Sequence, residues 1–290
     1  MTISRLQKLR NEIGNLLASP FQSERKTALS VLPRQTMHRD NLSALQRVLE
    51  KIKCSYSIAF TPRCGSNHLC DLLTQAEIGQ PTEFFQYDLS HWKVPGAEAA
   101  ILKILQENTV NGIFGAKFAH DHCAWLQSVF GNIIGKKRLL ADVLPNHRWI
   151  RLVRRDKIAQ AMSLYRARVT QEWLRWQDNR KSNVDVPYDF SAIVACYQTV
   201  VTAELAWDVY FSEYGIEPLV IHYEELAECP HQTIAAIAAF LAVENWRSLD
   251  GAEANLRIQR DEITASLIGQ FRQDLLEVGR LQGSAGCQLQ

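Results

Sequence analysis

The chain has 290 residues, 47% of them apolar, with 32 basic and 31 acidic side chains and a formal net charge of +1. That length suits one large α/β domain, alone or with a helical appendage, and the charge balance argues against broad binding to nucleic acid or anionic membranes. The cysteines (Cys54, Cys64, Cys70, Cys123, Cys196, Cys229 and Cys287) are odd in number, form no CxxC pair and match no zinc spacing, so reduced thiols in a cytoplasmic protein are expected.

The opening MTISRLQKLRNEIGNLL lacks the long apolar core of a signal peptide. The longest apolar run, Ile234 to Val243, is too short to cross a bilayer. A soluble, cytoplasmic protein is the expectation. Leu6, Leu9, Ile13, Leu16 and Leu17 recur at helical spacing, as do Leu42, Leu45, Val48, Leu49 and Ile52. Residues 1–53 therefore read as an N-terminal helical extension, with an apolar face that serves as scaffold or as the contact of a homodimer. The main domain is read as 54–290.

From Tyr56 the pattern changes to short apolar runs separated by longer helical ones. The predicted strands are Tyr56–Thr61, Gly112–Lys117, Arg148–Val153 and Pro218–His222. The predicted helices lie near 67–76, 97–107, 121–130, 156–173, 190–213 and 230–242, with Pro230 suited to a first turn and Gly215 to a stop. Strands alternating with helices point to βαβ units: an α/β, P-loop-like three-layer sandwich whose central, mainly parallel sheet is flanked by helices. In such sheets ligands bind beyond the carboxyl ends of the strands, so the loops after Thr61, Lys117, Val153 and His222 are where chemistry is sought. The polar stretch 177–189 reads as a surface loop or as a lid over a substrate.

The first of these loops runs from Thr61 through Arg63, Cys64, Gly65, Ser66 and Asn67 to His68. A turn that opens a helix presents unpaired N–H groups and the positive end of the helix dipole to an anion. Gly65 permits close backbone approach, Ser66 and Asn67 can cap or donate, and Arg63 adds a forked cation. The loop is not a nucleoside-triphosphatase loop, which needs G-x-x-x-x-G-K-[ST]. Gly131-Asn-Ile-Ile-Gly135-Lys136-Lys137 comes nearest and is one residue too short between its glycines. On pattern alone the Arg63 loop is either an anion site or an ordinary βα turn. His120-Asp121-His122-Cys123 could suggest a metal, but no further ligand cluster accompanies it. Asp121 suits a helix cap, and no metal is expected.

The run Arg63-Cys-Gly-Ser66, with Gly79-Gln-Pro-Thr-Glu83-Phe84-Phe85-Gln86-Tyr87, Phe114-Gly-Ala-Lys117 and Arg154-Arg-Asp-Lys-Ile-Ala-Gln-Ala-Met-Ser163, resembles the bacterial trehalose 2-sulfotransferase family of PAPS-dependent sulfotransferases. Trp173 and His222-Tyr-Glu-Glu-Leu226 before Phe240-Leu241 extend the likeness, which covers roughly Cys54 to Val243. It implies a carbohydrate sulfotransferase that uses 3′-phosphoadenosine 5′-phosphosulfate (PAPS) as donor, needs no metal and acts on a carbohydrate or glycolipid hydroxyl by in-line transfer. Residues 63–67 (Arg63, Cys64, Gly65, Ser66 and Asn67) would hold the 5′-phosphosulfate, and Arg63 would neutralise the leaving phosphate. Arg154 and Ser163 would hold the 3′-phosphate, and Glu83 would be the general base. Gln86, Lys117 and His120 would face the acceptor. Lys117 is equally readable as a salt-bridge partner, and Phe84 and Phe85 as core. Asn67-His68 replaces the family's Thr-Leu, and 88–111 and 174–189 depart from it, so trehalose itself is not implied. A P-loop-like kinase and a non-catalytic nucleotide-binding scaffold are the competing readings.

Overall fold

The computed structural model describes residues 39–85, 92–94, 96–123, 126–127, 140–173, 186–249 and 262–286. The first amphipathic stretch, most of loop 177–189, the Gly131 turn and residues Gln86 and Tyr87 lie outside them. By contacts, the described residues of Ala28–Arg155 and Ala203–Asn255 form one compact unit, and those of Asp156–Thr202 and Leu256–Gln290 another.

The first unit is built on a five-stranded sheet. Strand β1 (Cys54–Ala59) lies in its centre, flanked by β3 (Ile113–Phe118) and β4 (His147–Val153), with β2 (Thr109–Val110) beyond β3 and β5 (Leu219–His222) beyond β4. Every pair is parallel except β2 with β3. All six residues of β1 are buried, as are all six of β3, including the polar Ser55, Ser57 and Lys117, as expected of central parallel strands covered on both faces. The antiparallel edge is made by Asn111 and Gly112, both at positive φ (54° and 79°), the geometry of a two-residue hairpin turn for which Asn-Gly is the favoured pair. Next along the same edge of β3, Thr82 makes a parallel bridge to Ala116, and its carbonyl accepts from Lys117 N at 3.0 Å.

Side-chain alternation divides the sheet into two buried faces. Tyr56, Ile58, Ile150 and Leu152 pack with Leu69, Leu72 and Leu73 of α2 (Ser66–Gln75) and with Ile234, Ile237 and Leu241 of α8 (Pro230–Leu241). On the other face Phe114, Ala116, Phe118 and Trp149 pack with α1 (Arg39–Leu49), α3 (Gly96–Asn108) and the Trp207–Phe211 part of α6 (Phe190–Tyr214). Leu45, Val48 and Ile52, just before β1, belong to this cluster. The result is the expected three-layer α/β sandwich with a mostly parallel sheet. The short helices α4 (Leu140–Val143) and α7 (Tyr223–Glu228) lead into β4 and out of β5. The strands run within two residues of their expected limits; β1 begins at Cys54 and ends at Ala59, before Phe60 and Thr61 enter the loop.

The second unit is helical. Its core joins Ala161, Met162 and Leu164 of α5 (Lys157–Thr170) to Ile193, Val194 and Val200 of α6 and to Leu267 and Phe271 of α9 (Glu262–Gly286). Asp156 caps α5, accepting from Ala159 N at 2.9 Å. Among the described residues one helix, Phe190–Tyr214, has the length and composition of a membrane span; its Ile193 and Val200, and its Trp207 and Phe211, are core residues of the respective units.

Candidate active site

Three elements of the sheet unit meet at the carboxyl end of β1. The loop from Thr61 to Gly65 passes through two left-handed residues, Arg63 at φ 64° and Gly65 at φ 95°. An alternation of this kind turns successive N–H groups toward one concavity, an anion-binding shape. Gly65 is the N-cap of α2, and no side chain caps that helix, so its first-turn amides point into the same concavity. A Cβ at Gly65 would lie 2.3 Å from the Tyr223 ring: the loop is seated against the first residue of α7, and only glycine fits.

Two guanidiniums flank the loop. Arg154, buried at the end of β4, donates through Nη1 to the Arg63 carbonyl at 3.3 Å and lies over the Tyr223 ring at 5.0 Å. Arg63 is held below the ordinary arginine range, first by burial and then by the charge of Arg154. Two cations brought together at partial burial are best satisfied by an anion between them. Arg155 is engaged elsewhere: its amide donates to Glu224 at 3.1 Å and its guanidinium pairs with Glu225. The loop is braced from below, where Thr61 Oγ1 donates to Glu204 Oε1 at 2.9 Å, Arg151 pairs with Glu204 at 3.2 Å, and Trp207 Nε1 donates to the Phe60 carbonyl at 3.0 Å.

A polar chain connects the loop to a carboxylate. Asn67 Oδ1 accepts from Lys117 Nζ at 2.6 Å, and Lys117 Nζ lies 3.6 Å from Glu83 Oε2. The other carboxylate oxygen, Oε1, lies 3.2 Å from His122 Nδ1. Thr82 holds the backbone of this segment to β3. Phe84 and Phe85 anchor it on the opposite side, Phe85 stacked on Phe118 at 5.6 Å and Phe84 on Phe114 at 6.2 Å. Both phenylalanines are core. Burial pushes the Glu83 carboxyl up, but the nearby His122 imidazole and the charge of Lys117 outweigh it and hold the group below the usual carboxylate range.

The structure thus gathers Arg63, Cys64, Gly65, Ser66, Asn67, Lys117, Glu83 and Arg154 at one end of the sheet. Cys64 and Ser66 are buried, and burial pushes the Cys64 thiol up to about 11, so its side chain is a neutral packing group. Lys117 takes the salt-bridge option left open by the sequence. Asn67, expected as a donor contact, turns its carbonyl to Lys117. His120 packs edge-on against Trp207 at 5.4 Å and Tyr210 at 6.1 Å, whereas His122 reaches Glu83. The side chains of His120, His122 and Cys123 therefore diverge, Cys123 facing the Tyr210 hydroxyl at 3.8 Å. Ser163 lies half-buried on α5 in the helical unit, and Gln86 is outside the described residues. Tyr223 and His122 are the residues that sequence reasoning passed over. Tyr223 lies within His222-Tyr-Glu-Glu-Leu226, and His122 is two residues beyond His120.

A strand, a turn with two left-handed residues flanked by two arginines, and a carboxylate linked to that turn through lysine make up the candidate site. The chain belongs to the Stf0 sulphotransferase family, whose model matches residues 55–274. It is 27% identical over 208 residues to trehalose 2-sulfotransferase of Mycobacterium tuberculosis strain Erdman, covering 59% of this chain and 78% of that protein. A crystal structure of a sulfotransferase from Alicyclobacillus acidocaldarius aligns over 78% of this chain and 94% of its own, at 16% identity and a TM-score of 0.44. The family match makes the chain a sulfotransferase.

Proposed function

We propose that this sulfotransferase moves a sulfuryl group from PAPS to a hydroxyl of a carbohydrate or glycolipid, with Glu83 as general base. The observation that carries this is the chain Asn67–Lys117–Glu83, which ties a carboxylate to the anion loop through two contacts of 2.6 and 3.6 Å. Sulfuryl transfer, like phosphoryl transfer, spreads negative charge over equatorial oxygens between in-line attacking and leaving atoms. Its main requirements are placement and a positive field already in position. The backbone of residues 63–67 with Ser66 suits the 5′-phosphosulfate, because a Cβ-free Gly65 and uncapped amides form the concavity. Arg63 then offsets charge accumulating on the leaving phosphate. Arg154, already beside Arg63, is assigned to the 3′-phosphate. Ser163 shares that assignment on the strength of its motif alone. Glu83 takes the acceptor proton, and Lys117 keeps the carboxylate ionised until then. His120, for its place just after β3, and Gln86, for its place in the Glu83–Tyr87 stretch, remain assigned to the acceptor side.

A soluble, cytoplasmic enzyme is part of the same reading, supported by the free thiols of all six described cysteines. A homodimer that closes on the apolar face of residues 1–53 belongs to the same reading.

The test is to incubate the purified protein with sulfur-labelled PAPS and fractionated polysaccharide and lipid extracts, and to titrate it with adenosine 3′,5′-bisphosphate (PAP) and with ATP. Label in a glycan or glycolipid fraction, with PAP bound in preference to ATP, is expected. ATP binding without PAP binding would instead indicate a kinase-like protein, and PAP binding with no transfer to any fraction a non-catalytic scaffold.

A further inference from the structure

His122 has no part in the assignments above, yet it makes one of the two polar contacts to Glu83. It sits in the helical turn at 120–123 that follows β3, its side chain 17% exposed, with Nδ1 3.2 Å from Glu83 Oε1. Lys117, only 7% exposed, holds Oε2 from the β3 side. The two partners differ in kind. Lysine is a lasting cation near neutral pH, whereas an imidazole gains and loses its proton there. A carboxylate beside a buried lysine is a weak base by itself, since protonating it leaves the lysine charge uncompensated.

We propose that His122 is a positioning residue that shares the abstracted proton with Glu83, so that the Glu83–His122 pair, rather than the carboxylate alone, is the base. This role rests on Glu83 being the general base. In the transfer step the acceptor O–H bond breaks and its oxygen bonds to sulfur. The bridging S–O bond of the donor breaks, with its electron pair leaving on the 5′-phosphate oxygen. With the neutral imidazole as its Nε2–H tautomer, Nδ1 faces the carboxylate as a bare acceptor; the released proton enters the pair at Glu83 Oε1 and passes to His122 Nδ1, which becomes an imidazolium paired to a regenerated carboxylate. Loss of that proton to solvent restores the neutral imidazole.

The groups facing the pair are Lys117 from β3, Asp121 on the histidine's own turn, and Asn67 and Cys70 from α2, the first through Lys117 and the second through its thiol. Burial alone would lower His122; the attraction of its protonated ring to Glu83, 3.2 Å away, and to Asp121 outweighs it, leaving the imidazole above its ordinary 6.5. The same contact and Lys117 leave Glu83 below 4.5. The pair titrates as a unit, and its active form has an ionised carboxylate and a neutral imidazole. Turnover in the native enzyme therefore rises with pH along a limb above 6.5.

The experiment is the pH profile of kcat for the native enzyme, His122→Asn and Glu83→Gln, with PAP affinity measured in parallel. In H122N the limb above 6.5 disappears, and the acid limb that remains belongs to Glu83 beside Lys117 alone. PAP affinity is unchanged. An H122N profile with the native limb overturns the role of His122 while leaving Glu83 as base, provided E83Q is inactive. An active E83Q removes the premise itself. Should H122N not fold, 15N titration of the histidines in native protein and E83Q decides: His122 loses its proton above 6.5 in the native chain and at lower pH in E83Q. An identical midpoint in both overturns the pairing.

Discussion

At Gly65 two separate demands fall on one residue. The backbone sits at φ 95°, and the space where a Cβ would go is filled by the Tyr223 ring at 2.3 Å. Gly65→Ala must bear a left-handed cost of roughly 1–2 kcal/mol and an overpacking cost of about 1–3 kcal/mol. The expected outcome is a lowered melting temperature and a large loss of PAP affinity. In a Tyr223→Ala background the overpacking part of the stability loss disappears and the conformational part stays, which thermal melts of the four proteins resolve. Arg63, Gly65 and Glu83 could be picked out from the sequence because each stands in a local pattern with a known purpose. Tyr223 could not, because its role lies in a contact between loops on two different strands. His122 escaped notice for a similar reason: strand geometry gives no hint which of two histidines two positions apart will face the carboxylate.

At the level of elements, the anion loop is held by α6 as much as by its own strand. Glu204 is buried, accepts from Thr61 at 2.9 Å and pairs with Arg151 at 3.2 Å. Glu204→Ala leaves Thr61 and a mostly buried arginine short of a partner, for an expected loss of about 1–3 kcal/mol of stability. Asp208 still pairs with Arg151, which keeps the loss at that level. A urea midpoint shifted down with unchanged slope is the expected signature, and a value equal to the native one would show that the brace contributes nothing. The main strands and helices were readable from apolar runs, and Gly215 and Pro230 stop and start their helices as expected. The hairpin of β2 was missed although Asn111-Gly112 carries its signal, because two residues of strand are too few to show a period. Helix α9 was missed because Gly269 interrupts it and the exposed Ile263 and Leu276 blur its apolar stripe.

For the whole molecule, the order of strands and helices made the parallel sheet legible, and the sheet in turn pointed to the candidate site at its carboxyl ends. The division into two units was not legible. It falls between Thr202 and Ala203 within one continuous helix, where sequence shows no linker or break. The sheet unit carries the anion loop, Arg154, Lys117, Glu83 and His122, so its chemistry can be tested directly. The decisive measurement is the rate of sulfate transfer by Glu83→Gln from labelled PAPS to the acceptor fraction that takes label, with PAP titration alongside. Loss of a positioned base predicts a fall of about 10²–10⁴-fold in kcat with PAP affinity unchanged; full turnover at unchanged PAP affinity would contradict the assignment of Glu83 and with it the reading of the site.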